Sequence, residues 1–334
     1  MENSAKIKIA VSATIRNQLE MDIQDYQLKG IGELCNKIIE LRQELASFPL
    51  SKRISRENCE LFKNSAPLQF ILHKRNGEFA TYAVSKKIKI ATLCRHYLQQ
   101  YVDMPRGKRE IFLKKVELSK IDYAIENQLN VWLDYHGKRK LLAPCFVALS
   151  PAHMRAYLVI CERSELGVEF KAFRLSHVKN VEVATAHNSN SADDTVAFHT
   201  QTNALYRKSL DFKNHFDPFL CYGQELKVEL SPEGVALYNR AATNRPKILK
   251  APQNPGSHNS FVSAQEEIAS ALDAQRPGIY TFECSPELAK VYFPQFLETA
   301  QVLAPAELRH YFRQRFLKAA SAYGLVDQFT AKKV

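Results

Sequence analysis

Between Val131 and Val178 the chain repeats short β-prone runs broken by turn residues, and this pattern constrains the fold most. Val131-Trp132-Leu133-Asp134-Tyr135 leads through His136-Gly137 into Lys138-Arg139-Lys140. Leu142-Ala143-Pro144 follows, then Arg155-Ala156-Tyr157-Leu158-Val159-Ile160, then Phe173-Arg174-Leu175-Ser176-His177-Val178. Alternating or apolar runs of this length predict a small curled sheet. A short helix over Ile121–Asn127 leads into it. At 334 residues there is room for roughly two to three domains. With 46% hydrophobic and 24% charged residues, the composition is that of an ordinary globular chain. The expected class is α+β and multidomain.

The N-terminal segment, 1–50, reads as one strand and two helices. Lys6-Ile7-Lys8-Ile9-Ala10-Val11 alternates strictly, with Ile7, Ile9 and Val11 on one face. Ser12 can cap a helix over Thr14–Tyr26, where Ile15, Leu19 and Ile23 recur every four residues. Lys29-Gly30 breaks it, and a second helix carries Leu34, Cys35, Ile38, Ile39 and Leu41 inward. So few residues bury too little surface to stand alone, and a partner chain would solve that. The layout resembles the ribbon–helix–helix family of dimeric DNA-binding proteins. That resemblance implies strand pairing between two subunits, with Lys6, Lys8 and Ala10 facing the major groove. It also implies that Lys29 and the helix start at Gly30 to Gly32 meet a phosphate.

Charge is concentrated next to this segment. The net charge is +11, and Ser51–Lys115 holds 15 Lys and Arg against 5 Asp and Glu. Residues 1–50 hold 6 against 7. A local excess of this kind is the electrostatic footprint of a phosphate-binding surface. The 51–118 region reads as a basic α/β connector. Pro67–His73 is an apolar run ending in Lys74-Arg75-Asn76-Gly77, a hairpin signal. A helix is expected over Ile88–Met104, stopped by Pro105. Lys86, Lys87, Lys89, Arg106, Lys108 and Arg109 are the expected nucleic-acid contacts, with Lys114 and Lys115 beyond. Phe70, Phe79, Tyr82, Tyr97, Tyr101 and Phe112 interleave with them, as suits stacking on single strands. Each of these aromatics is also an ordinary core residue.

The β-rich stretch, taken as a domain over 119–186, resembles a WYL domain, an SH3-like β-barrel of bacterial regulators. Tyr157-Leu158 match the second and third letters of the family motif, and Ala156 stands where it has Trp. Phe173-Arg174-Leu175 match the family's Phe-Arg-Leu, with Ser176 and His177 replacing an Asp and a second Arg. The resemblance implies a ligand-sensing pocket, for a ligand proposed to be nucleic-acid derived. The matching residues here are Tyr135, Arg139, Tyr157 and Arg174, with His177 in place of Arg. An Arg fork suits phosphate, whereas His is mostly neutral near neutral pH.

A polar linker is expected over 187–210, and a C-terminal domain over 211–334. Glu225–Leu230 and Tyr280–Cys284 read as strands, each followed by a Ser-Pro that opens a helix: Ser231-Pro232 and Ser285-Pro286. A last helix is expected over Ala306–Tyr323. The repeated unit predicts a split β-α-β arrangement and resembles the WCX extension that follows WYL domains.

Several chemistries have no signature. No phosphate loop, dinucleotide turn, zinc-protease motif or nucleophile elbow occurs, so no catalytic residue, metal or cofactor is expected. Seven widely spaced Cys without a Cys-x-x-Cys pair argue against a disulfide framework. No run of ~18 apolar residues predicts a membrane span, and the polar Met1–Ala5 lacks a signal-peptide layout, so a cytoplasmic protein is expected. The expected function is a homodimeric, DNA-binding WYL-type transcriptional regulator that senses a small nucleotide or oligonucleotide. One alternative is an accessory single-stranded RNA binder linked to CRISPR or other phage defence. The other is a dimerisation protein without nucleic acid. If the first strand reads a groove, Lys6→Ala with Lys8→Ala weakens duplex DNA binding in fluorescence anisotropy; unchanged affinity removes the strand from the interface.

Overall fold

Strand β1 (Lys6–Ser12) buries Ile7, Ile9 and Val11 and exposes Lys6, Lys8 and Ala10, as its alternation dictates. Its partner lies in the same chain. β1 pairs antiparallel with β2 (Ser65–Ile71), setting Ile7 against Phe70 and Ile9 against Leu68. This computed structural model describes residues 6–45, 65–164, 167–184, 202–241, 243–253 and 263–324. It divides into two compact units, Met1–Lys213 and Asn214–Val334.

In the first unit, the Ser12 hydroxyl accepts from the Ile15 N–H at 3.3 Å and starts α1 (Ala13–Asp25). Then come α2 (Ile31–Glu40), α3 (Arg42–Leu45), α4 (Gly77–Ser85), α5 (Ile90–Asp103), α6 (Arg106–Leu113) and α7 (Lys115–Glu126). One core joins Leu19, Leu34 and Ile38 to Phe70, Phe79, Leu98 and Tyr101. The first segment therefore completes its core with residues 65–113, and the argument for a partner chain falls away. The aromatics expected to stack on bases are mostly inside: Phe70, Phe79, Tyr97, Tyr101 and Phe112 are buried and Tyr82 is half-buried. Nor does Asn76-Gly77 turn a hairpin. A 3-10 turn at Lys74–Asn76 runs into α4, with Gly77 in right-handed helical geometry. The buried Asn76 amide donates to the Asn36 carbonyl at 3.0 Å, which holds the chain in that course.

The β-rich stretch forms β3 (Val131–Tyr135), β4 (Lys138–Ser150), β5 (Arg155–Ser164), β6 (Gly167–Arg174) and β7 (Val178–Val183). The sheet order is β6-β5-β4-β3-β7, antiparallel throughout. β6 and β7 stand at the two ends of this ladder among the described residues. His136 and Gly137, both at positive φ, make the tight β3–β4 turn. β4 pairs with β3 up to Leu142 and with β5 from Ala143, and its register shifts between Pro144 and Phe146. Leu118, Ile121 and Ala124 of α7 close a second core over Leu133, Leu158, Ile160 and Leu175. Helix α8 (Thr202–Asn214) occupies part of the stretch expected as linker, whose residues 187–201 lie outside the described residues.

The second unit contains β8 (Glu225–Leu230), α9 (Pro232–Arg240), β9 (Lys247–Lys250), α10 (Ala264–Asp273) and β10 (Gly278–Glu283). It ends with α11 (Pro286–Tyr292), β11 (Ala300–Ala304) and α12 (Ala306–Ala322). The order β11-β8-β10-β9 puts β10 between β8 and β9, and β8 between β10 and β11. Both Ser-Pro pairs open helices: Ser231 Oγ accepts from the Gly234 N–H at 3.1 Å, and Ser285 Oγ from the Leu288 N–H at 3.2 Å. β9, α10 and β11 carry no strong sequence period and are visible only in the fold. Among the described residues no helix is long and apolar enough to cross a membrane.

Gly234 is required by proximity. A Cβ there would collide with the Thr299 backbone carbonyl, which cannot swing aside as a side chain could. Gly234→Ala is expected to cost the second unit about 1–3 kcal/mol, read as a lowered midpoint in urea unfolding followed by circular dichroism.

Candidate functional site

Two acids in the last turn of α1 organise the site. Asp22 is fully buried and accepts from Arg109 twice, at 2.8 and 3.2 Å, and from the Tyr101 hydroxyl at 2.7 Å. The remaining Arg109 nitrogen donates to the Met104 carbonyl at 2.6 Å. A guanidinium so engaged is a structural clamp, so Arg109 is not the nucleic-acid contact expected from the sequence. Burying an unpaired Asp22 would be costly, and this pairing removes that cost.

One turn on, Asp25 gathers three arginines. Arg155 reaches its Oδ1 at 2.8 Å, Arg106 pairs with its Oδ2, and Arg174 lies 3.9 Å from Oδ1. Arg174 also reaches the Asp25 carbonyl at 3.4 Å. Arg155 further stands over the Tyr26 ring at 5.9 Å. Three positive charges thus meet one carboxylate. Arg106 Nε, Arg155 Nη1 and Arg174 Nε are buried and have no hydrogen-bond partner.

The sheet register explains why these groups converge. Tyr157 and Arg174 are cross-strand partners on β5 and β6. Arg155 lies two residues before Tyr157 and so shares its face, while Ala156 and Leu158 point into the core. Tyr157 meets the His153 ring, with its hydroxyl 2.9 Å from Nδ1. Burial pushes the Tyr157 pKa up, with the Arg174 charge opposing. Behind them Glu110 of α6, itself buried, accepts from the Ala156 N–H at 3.0 Å and the Ser176 N–H at 2.7 Å. Burial raises its pKa, and those backbone bonds work the other way.

Tyr135 is only half in the pocket implied by resemblance. Its ring stacks on Phe173 at 4.0 Å, against the sheet's core. Burial raises its pKa, opposed by a backbone hydrogen bond from Arg174. His177 sits beside it, with Nδ1 3.3 Å from His136 Nε2. Arg139 is engaged elsewhere, by Glu182 at 2.6 Å and the Asn180 carbonyl at 2.9 Å, on the exposed side of β3 and β7.

Of the other basic residues in the expected interface, Lys114 is buried and the lysines that follow lie on the surface. Lys6 and Lys8 face outward on β1, and Lys86, Lys87 and Lys89 are exposed between α4 and α5. Lys108 is exposed on α6, while Arg106 is bound to Asp25. Gly30 opens α2, but the Glu33 carboxylate already accepts from the Lys29 N–H at 2.7 Å at that helix start. Asp22, Asp25, Glu110 and Arg155 escaped the sequence reading. Only Arg155 had a local signal, the two-residue strand period it shares with Tyr157. Among the described residues no group of three or more His, Cys, Asp or Glu could hold a metal ion.

No protein-family model matches this chain, and no curated protein matches it. Among solved structures it is similar to the crystal structure of a CRISPR Cas-related protein, with a TM-score of 0.58 at 12% identity. That match covers 97% of this chain and 95% of the other. The likeness is one of fold, and it extends through both units. Proteasome accessory factor B/C of Arthrobacter aurescens also matches, at 16% identity over 61% of this chain and 27% of its own, with a TM-score of 0.23. That superposition is too poor to bear on the fold.

His177 gives the site a pH signature. Burial lowers its pKa below the usual 6.5, helped by Arg174, His136, Lys179 and Lys114. A His with a depressed folded pKa favours the folded state when neutral. Its contribution is complete above the unfolded value of 6.5 and is lost as pH falls from there toward the folded value. Partial exposure keeps the effect small. His177→Gln is therefore expected to show a smaller drop in Tm than the parent on mild acidification; equal drops would remove His177 from the titration.

Proposed function

We propose that the protein is a nucleic-acid-binding regulator of the WYL type, whose ligand presents phosphate to Arg155 and Arg174 beside Tyr157. One observation carries this reading: Arg155, Arg174 and Arg106 share one carboxylate, and each keeps a buried guanidinium nitrogen without a hydrogen-bond partner. Arg forks bind phosphate through paired, charge-assisted hydrogen bonds, and a neighbouring Tyr offers a ring for a base. A Tyr ring beside the two arginines suits an unpaired base next to its phosphate, which makes single-stranded RNA the form to test first.

Duplex DNA is the second reading, and the outer face of the β1–β2 ribbon favours it. Lys6, Lys8 and Ala10 are exposed there with Gln69 on the neighbouring strand. This ribbon is completed within one chain, unlike the intersubunit ribbon expected from the sequence, so groove reading would use one chain's two strands.

Fluorescence anisotropy with labelled single-stranded RNA and labelled duplex DNA separates the two. Binding to the single strand should weaken with salt, with a slope of about −0.7 per phosphate contacted. Arg174→Ala is expected to lower that affinity about 10- to 100-fold while circular dichroism stays native. Preference for duplex, lost in Lys6→Ala with Lys8→Ala and retained in Arg174→Ala, would establish the second reading instead.

A further inference from the structure

We propose that Asp25 is the internal occupant of the anion site: its carboxylate holds the place of a ligand phosphate between Arg155 and Arg174, and ligand binding unlatches the end of α1. This rests on the reading of the arginine cluster as a phosphate site.

The pairing is one-sided. Three guanidiniums, each with five donors, face a single carboxylate with room for about four hydrogen bonds. Arg155 spends one nitrogen on Asp25 Oδ1 and leaves Nη1 buried without a partner, although its side chain is only 9% exposed. Arg174 approaches the carboxylate only to 3.9 Å, and its Nε is also unpartnered. Glu110 lies near Arg174, but both of its oxygens are taken by backbone N–H groups. A phosphate has more acceptor oxygens and, as a terminal monoester, more charge than a carboxylate. It therefore satisfies the donors that Asp25 leaves idle.

Helix α1 does not explain why Asp25 is there. A carboxylate in the last turn meets the negative end of the helix dipole, and α1 has no basic residue in that turn to offset it. The arginines of α6, β5 and β6 supply that compensation. Their hold on Asp25 ties the C-terminal end of α1 to the sheet, and the Tyr26 hydroxyl adds a bond to the Arg106 carbonyl at 2.9 Å. Ligand phosphate and Asp25 compete for the same N–H groups, so each weakens the other by the same factor. Signal and release are thereby joined: an occupied pocket frees Asp25 and the turn that follows it, while Asp22 stays clamped by Arg109.

The test uses the full chain and a short 5′-phosphorylated single-stranded RNA labelled at its 3′ end. Asp25→Asn removes the competing charge and is expected to bind the probe about tenfold more tightly than the parent, and Arg155→Ala to bind it far more weakly. Hydrogen exchange supplies a second readout that needs no variant. The Tyr26 and Leu28 amides are bonded to the Asp22 and Ile23 carbonyls at 2.9 and 3.0 Å, and both should exchange faster once the probe is bound to the parent protein. Unchanged or weaker binding by folded Asp25→Asn, with Arg155→Ala still impaired, overturns the latch and leaves the phosphate site standing. Unchanged or slower exchange on probe binding overturns it equally, and serves if Asp25→Asn does not fold. Probe affinity that is indifferent to Arg155→Ala overturns the phosphate site and the latch together.

Discussion

Neighbouring residues of one short helix, Arg109 and Glu110 of α6, hold the first unit together. Successive helical positions point about 100° apart, so the pair reaches in two directions. Arg109 enters the N-terminal core and clamps Asp22 at the end of α1. Glu110 enters the sheet and takes backbone N–H groups from Ala156 and Ser176. The core of α1, α2 and α5 and the core under the sheet are separate, and α6 touches both, with Phe112 and Leu113 in the first and Ile111 against the second. The joint between them is polar, fully desolvated at its centre and ionic. Such joints fix orientation strongly, because any shift leaves a buried charge without its partner.

That joint sets the site. With α6 pinned on both sides, the end of α1 lies against the face of β5 and β6 that bears Arg155, Tyr157 and Arg174. Lys114 and Lys120 extend the seam by donating to the Val178 and Val181 carbonyls of β7. Some of the chain's basic residues are thus structural bonds. Of the excess between Ser51 and Lys115, Arg109 and Lys114 are inside the molecule, whereas Lys74, Arg75, Lys86, Lys87, Lys89, Lys108 and Lys115 are exposed among the described residues. A count of charge along the sequence overstates the surface available to a polyanion.

Much of the architecture was legible because it is local. The alternation of Lys6–Val11, the four-residue spacing of Ile15 and Leu19, and both Ser-Pro helix starts are short-range facts about backbone geometry and capping. The β runs from Val131 to Val178 likewise announce themselves by composition. The Asn76-Gly77 signal misled for the same reason: the dipeptide permits a hairpin, but a buried amide pair between Asn36 and Asn76 decides otherwise. Of the residues the resemblance implies, the register brings only some together. Tyr157 and Arg174 are opposite one another, but Arg139 is engaged by Glu182 and Asn180, and the ring of Tyr135 packs on Phe173.

What sequence alone determined is the set of amphipathic pieces, since hydrophobic period and helix capping act over a few residues. Tertiary structure alone decided which strand covers β1, which arginines are clamps and which keep idle donors, and that an acid of α1 sits among arginines of α6, β5 and β6. Asp25 and Arg174 are 149 positions apart, and no local rule links residues at that distance. Their meeting follows from the burial of two cores and the desolvated ion pairs between them, a balance only the folded chain can strike.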